Sequence, residues 1–165
     1  MKAGNRTIRL VLLALTASLI LLTTLLCIPM GIGYYHLGDG FIFAAAALLG
    51  PYAGISAAIG SILADIFSGY LIYAPATAVI KGCMGFVSGW MLRKNHKFMT
   101  IVLVLLLCEA IMVGGYFIYE SCLYGIAGAV PSLIPNALQG LAGIVLGAIM
   151  VPLTKKIPLG NKYLK

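Results

Sequence analysis

Apolar residues run without a charge from Leu10 to Tyr35, and the same texture returns in blocks as far as Thr154. Glycine, proline or a basic cluster interrupts it at short intervals. A helix needs about 20 residues to cross a hydrocarbon core. At that length the pattern predicts six helices, over 10–30, 38–49, 52–68, 74–92, 98–119 and 135–154. Pro29, Gly31 and Gly33 close the first, Gly50-Pro51 the second and Gly69 the third. Pro75 opens the fourth from a first-turn position, where its missing N–H costs nothing. The segment holding Gly125, Gly128 and Pro131 is the longest irregular piece. Gly50-Pro51 has to turn without a basic residue nearby, so an alternative treats 38–69 as one broken, re-entrant unit.

Composition agrees with burial in lipid. Of 165 residues, 62% are hydrophobic and 9% charged, and the mean hydropathy is +1.07. A soluble domain carries roughly 25% charged residues. The expected class is therefore an all-α membrane protein, one bundle of six transmembrane helices spanning 1–165 as a single domain. The uncharged run after Lys2, Arg6 and Arg9 exceeds the ~7–15 residue core of a signal peptide, and no A-x-A-like site follows it. It is expected to stay as the first helix. The four cysteines, Cys27, Cys83, Cys108 and Cys122, form no C-x-x-C pair and read as packing residues.

The net charge of +7 does not point to nucleic acid, because the basic residues form three short clusters between apolar runs. These are Lys2, Arg6 and Arg9; Arg93, Lys94 and Lys97; and Lys155, Lys156, Lys162 and Lys165. Basic clusters face the cytoplasm. Four crossings between the first pair of clusters and two between the second put all three, and both termini, inside.

That topology sends every acid to the outer half. Asp39 starts the second helix, Asp65 lies about a turn below the end of the third, Glu120 ends the fifth and Glu109 sits near its middle. Lys81 is about 9 Å down the fourth helix at 1.5 Å per residue. Ionisable groups in a membrane cost several kcal/mol unless paired or wet, and so mark function. Glu109, Val113, Tyr116 and Glu120 share one helical face, as do Tyr73, Thr77 and Lys81, while Asn136 and Gln139 nearly do. Three helices thus aim polar and aromatic groups at one outward-opening cavity. Structural roles compete with binding. Lys81 with Asp65 or Asp39 would make a buried pair that fixes register, and Asp39 reads as an N-terminal cap. Glu109 has no basic neighbour in sequence, so it is protonated, meets Lys81 or meets the substrate. Tyr34, Tyr35, Tyr70 and Tyr73 fall where an aromatic belt is expected anyway.

The stretches "YYHLGDGFIFAAAALLGPYAGISAAIGSILADIFSGY", "YAPATAVIKGCMGFVSGW", "IMVGGYFIYE" and "PNALQGLAGIVLG" together resemble an S component of an energy-coupling factor (ECF) transporter. The likeness is to the subgroup linked to hydroxymethylpyrimidine, pyridoxine and riboflavin uptake, and it covers about Leu10 to Pro152. It implies a membrane-embedded vitamin-binding subunit that captures its ligand from outside, with the first external loop and the outer parts of helices four to six. Substrate contacts then fall to Glu109, Tyr116, Lys81, Asn136, Gln139, Tyr73, Tyr35 and His36, with Asp39, Asp65 and Glu120 structural or pocket-adjacent. The resemblance also implies partners, a transmembrane coupling protein and two ATPases. The docking pair of small residues on helix one would be Ala14 and Ser18, or Leu13 and Ala17, so the usual A-x-x-x-A is not intact.

Other functions find less support. No G-x-x-x-x-G-K-[ST] is present, so ATP would be bound only by partner subunits and no cofactor is expected in this chain. A stand-alone ion-coupled carrier is the alternative, but the sequence shows no internal inverted repeat. An enzyme would need a motif such as H-E-x-x-H or G-x-S-x-G with a triad, and neither occurs. His36 and His96 fall on opposite sides of the membrane and so share no metal. The expected setting is the plasma membrane, crossed several times.

Overall fold

A computed structural model describes residues 3–26, 28–29, 34–93, 97–154 and 156–157, without the side chains of 3–5, 28–29 and 34–35. The basic residues Lys2, Lys94, Lys155, Lys162 and Lys165, together with His96 and Cys27, lie outside the described residues. Six α-helices make up nearly all of it: α1 Ala3–Leu25, α2 Gly38–Leu49, α3 Ala53–Phe67, α4 Ala74–Leu92, α5 Phe98–Ala129 and α6 Leu133–Thr154. A two-residue antiparallel ladder joins α1 to α2, with β1 Ile28–Pro29 against β2 Tyr34–Tyr35.

Three expected bounds are corrected. The first helix begins at Ala3, not Leu10, and stops at Leu25, not near Met30. A residue before proline is pushed towards extended backbone, and Ile28-Pro29 accordingly pairs as a strand. The fifth helix runs on to Ala129, ten residues past the expected end, with one non-helical residue inside it, Gly125 (φ 75°, ψ 164°). The segment read as an irregular loop is therefore mostly helix. A 3-10 turn at Val130–Ser132 then leads into α6.

Short joints hold the other bounds. Gly50 (φ 59°) opens the 3-10 turn Gly50–Tyr52 between α2 and α3. At the far end of α3, Gly69 (φ 80°) lets Tyr70 N–H reach Asp65 O at 2.8 Å and Gly69 N–H reach Ile66 O at 3.2 Å. This is a Schellman cap, in which glycine accepts the left-handed conformation without a Cβ clash.

The bundle has two unlike ends. At the end where α2 turns into α3, the core is apolar and closely packed, with Phe43, Met84, Leu105, Leu92 and Ile101 almost fully buried. Here α3 and α4 approach backbone to backbone. A Cβ on Gly89 would stand 2.1 Å from Gly50 O, and one on Gly85 would stand 2.8 Å from Ala53 O. Small residues permit such contact between membrane helices. Large apolar side chains such as Leu22, Ile59, Phe86, Leu103 and Val145 point outward. That inverts the soluble pattern, as a lipid solvent requires. Three helical stretches among the described residues are long and apolar enough to cross a membrane: Arg6–Leu25, Gly38–Phe67 and Phe98–Thr154.

Candidate functional site

The opposite end of the bundle encloses a cavity of about 320 Å³. α4 enters it from Tyr73, and its helical repeat carries Tyr73, Thr77 and Lys81 onto the wall. α6 brings Asn136 and Gln139, and α5 brings Tyr116 and Glu120. His36 comes from the turn before α2. Of the expected substrate contacts, Lys81, Tyr116, Asn136, Gln139, Tyr73 and His36 thus line one space. So do Asp65 and Glu120, which the sequence placed as structural or adjacent.

Three expected site residues are placed otherwise. Tyr35 pairs with Ile28 through its backbone, and its side chain lies outside what is described. Glu109 is absent from the cavity wall. Its carboxyl lies against α6, where a Cβ on Gly143 would meet both Glu109 Oε1 and Asp39 Cβ. Glu109 is 4% exposed, and neither of its oxygens has a hydrogen-bond partner among the described residues. Asp39 is corrected from cap to ion pair. Leu37 occupies the N-cap of α2, with no side-chain capping bond. Asp39 instead accepts from Lys81 Nζ at 2.5 Å and from Gln139 Nε2 at 2.7 Å.

The Lys81–Asp39 pair is the one ion pair found among the described residues, with side chains 2% and 1% exposed. It answers which acid Lys81 meets: Asp39, and neither Asp65 nor Glu109. Charges this deep are held only when paired and hydrogen-bonded. Gln139 supplies the additional bond, and Tyr116 places its ring 5.7 Å from the ammonium. Tyr116 also shares a 2.9 Å hydrogen bond with Thr77. One bond to Asp39 uses one of three ammonium donors, and Gln139 keeps its carbonyl oxygen. α2 thus anchors from behind two side chains that α4 and α6 present to the cavity.

Glu120 organises the mouth. It accepts from Tyr73 OH at 3.3 Å and from Ser132 Oγ, so α4 and the turn before α6 are tied to α5. Tyr119 OH donates to Ile72 O in the same region. His36 Nδ1 accepts from Gly38 N–H at 3.3 Å. Burial holds the imidazole neutral, pulling its pKa from 6.5 to about 4; Asp39 opposes this, and Lys81 adds to it.

Sequence reasoning missed Thr24, Ser61, Tyr124 and Ser132 as wall residues. Tyr124 and Ser132 fall in the segment read as a loop, so no helical face was available to place them. Thr24 and Ser61 are small hydroxyls in apolar helices, a residue type common in helix packing. Ala14 and Ser18 stand on an exposed face of α1, where Ser18 Oγ donates to Ala14 O at 3.0 Å. Of the alternative pair, Ala17 is buried.

Comparison with known proteins fits this arrangement. The family described as "ECF-type riboflavin transporter, S component" matches residues 4–156. A Pyrococcus woesei protein, described as "Uncharacterized protein in gap 3'region", is 36% identical over 130 residues, covering 78% of this chain and 87% of the relative. The thiamine precursor transporter HmpT of Lactococcus lactis subsp. cremoris (strain MG1363) is 30% identical over 128 residues, covering 77% and 73%. The matched family and HmpT are transporters, which sets aside the enzyme reading. The chain belongs to the S component family of ECF-type riboflavin transporters.

Proposed function

We propose that this S component captures a small hydroxymethyl heteroaromatic vitamin precursor, hydroxymethylpyrimidine first, with pyridoxine and then riboflavin as the alternatives. The observation that carries the choice is the cavity. At about 320 Å³ it sits at the low end of the roughly 300–1,000 Å³ range of ligand sites. That room suits a one-ring ligand better than a three-ring flavin. The wall matches such a ligand, with tyrosine rings for stacking and Lys81, Asn136 and Gln139 for ring nitrogens and hydroxyls. HmpT carries a thiamine precursor by name, which supports the same class.

In this reading the six helices cross the plasma membrane with both termini and the Arg93–Lys97 segment inside, and the cavity opens outward. The chain binds no ATP or other cofactor. A transmembrane coupling protein docks on the exposed Ala14–Ser18 face of α1, and two ATPases supply energy. A stand-alone carrier would import its ligand without that module, so uptake in cells lacking the module separates the two.

Isothermal titration in detergent against a panel of B vitamins and precursors tests the ligand. Hydroxymethylpyrimidine is expected to bind most tightly. Asn136→Ala should weaken it roughly tenfold, the worth of one good hydrogen bond, without lowering the melting temperature. Tight binding of riboflavin alone would overturn the proposed ligand class.

A further inference from the structure

Polar groups around the cavity divide by wall. On the α4–α6 side they satisfy one another or lean on α2. Lys81 and Gln139 both end on Asp39, Thr77 shares its bond with Tyr116, and Tyr73 and Ser132 both donate to Glu120. On the α1–α3 side the Asp65 carboxyl accepts a hydrogen bond from Thr77 across the cavity, and two atoms are left over. Asp65 Oδ2 and Thr24 Oγ1 are buried without a hydrogen-bond partner among the described residues. Both residues line the cavity, at 7% and 9% exposure.

A buried polar atom without a partner is costly, and most so on a carboxyl group. Ionisable groups kept at membrane depth are there for a purpose. No basic side chain among the described residues lies within ion-pair distance of Asp65, since Lys81 is given to Asp39. What these two atoms lack in common is a donor from outside the protein.

We infer that Asp65, together with Thr24, reads a hydrogen-bond donor on the ligand ring and so decides which substituent the protein accepts. The inference rests on the ligand class proposed above. It assigns specificity to the α1–α3 wall, whereas the α4–α6 wall supplies the shape. A carboxylate only accepts hydrogen bonds, so the substituent it selects is a donor, N–H or O–H, and the one proposed is an exocyclic amine fixed on the ring. A ring with hydrogen at that position leaves both protein atoms unsatisfied. Sites built around a polar partner reject the analogue that lacks it far more strongly than apolar pockets reject a missing methylene.

The test is a pair of ligands, 4-amino-5-hydroxymethyl-2-methylpyrimidine and the same ring without the amine, titrated into detergent-solubilised full-length protein. The wild type should prefer the amine by tenfold or more. Asp65→Leu should abolish that preference; it removes the unpartnered Oδ2 together with the carboxyl's hydrogen bond to Thr77, so the ligand-free melting temperature should fall only slightly. Thr24→Val should lower the preference by a smaller factor. If Asp65→Leu does not fold, Asp65→Asn takes its place and should cut the preference several-fold. Equal binding of both rings by the wild type, or a preference kept in the Asp65 and Thr24 variants, overturns this inference and leaves the vitamin reading standing. Binding of neither ring removes the ligand class and this inference with it.

Discussion

The two ends of the bundle are held together in different ways. Where α2 turns into α3, order comes from contact distance: glycines bring backbones together around a core of Phe43, Met84 and Leu105. At the cavity end, order comes from a few directed bonds, with Lys81, Asp39 and Gln139 as one unit and Glu120 as another. A packed seam has many small contacts and a gradual response to change. A buried charge cluster has few contacts and fails steeply when one is lost. Binding demands the second kind, since a cavity lined by satisfied apolar groups would offer a ligand no direction.

The largest expected effect is therefore at the cavity end. Asp39→Ala leaves the Lys81 ammonium buried without its counter-ion, and breaking such a pair costs about 3–5 kcal/mol. A melting measurement should show that loss, and Asp39→Ala combined with Lys81→Met should recover most of it. An unchanged melting temperature in the single variant would erase the contrast between the two ends. Next comes the seam. In Gly89→Ala the added Cβ meets the Gly50 carbonyl, and overpacking of this kind costs about 1–3 kcal/mol. Ligand affinity should stay within about twofold, because the change lies at the other end. A matched loss of affinity would show that the ends are not separable.

The last effect concerns acid, and it is the smallest when taken per unit of pH. His36 is folded neutral, with its pKa pulled from 6.5 to about 4. Between those values the unfolded chain binds the proton and the folded chain does not. Stability is then full above pH 6.5 and is lost as pH falls towards 4. The slope is about 1.4 kcal/mol per pH unit at most. Melting temperature followed from neutral pH downward should show this slope, and His36→Asn should flatten it. Asp39 and Lys81 lie close enough to act on His36, so a slope retained in His36→Asn would locate the sensitivity in them.

Much of this was legible in the residues, and for local reasons. Gly50-Pro51, Gly69 and Pro75 punctuate the chain because backbone geometry leaves them few alternatives, so α2, α3 and the start of α4 follow from sequence. Helical repeat likewise predicts that Tyr73, Thr77 and Lys81 share a face, and all three stand on the cavity wall. Partner choice was not legible. Lys81 had three acids in the same half of the bundle, and only the packing of α2 against α4 and α6 selects Asp39. Glu109 illustrates the same limit: its face was predicted, but α6 glycines draw it behind the wall. The extension of α5 was missed because Gly125 reads as a stop, whereas the helix resumes beyond a single turned residue.

The cap at Gly69 has a thermodynamic consequence. It fixes Tyr70 to the carbonyl of Asp65, so two cavity residues from the end of α3 are locked in relative position by one turn. The conformational entropy lost in ordering them is surrendered when the protein folds, not when the ligand arrives. At this edge of the cavity an incoming ligand meets a backbone already set, and is spared that part of the ordering cost.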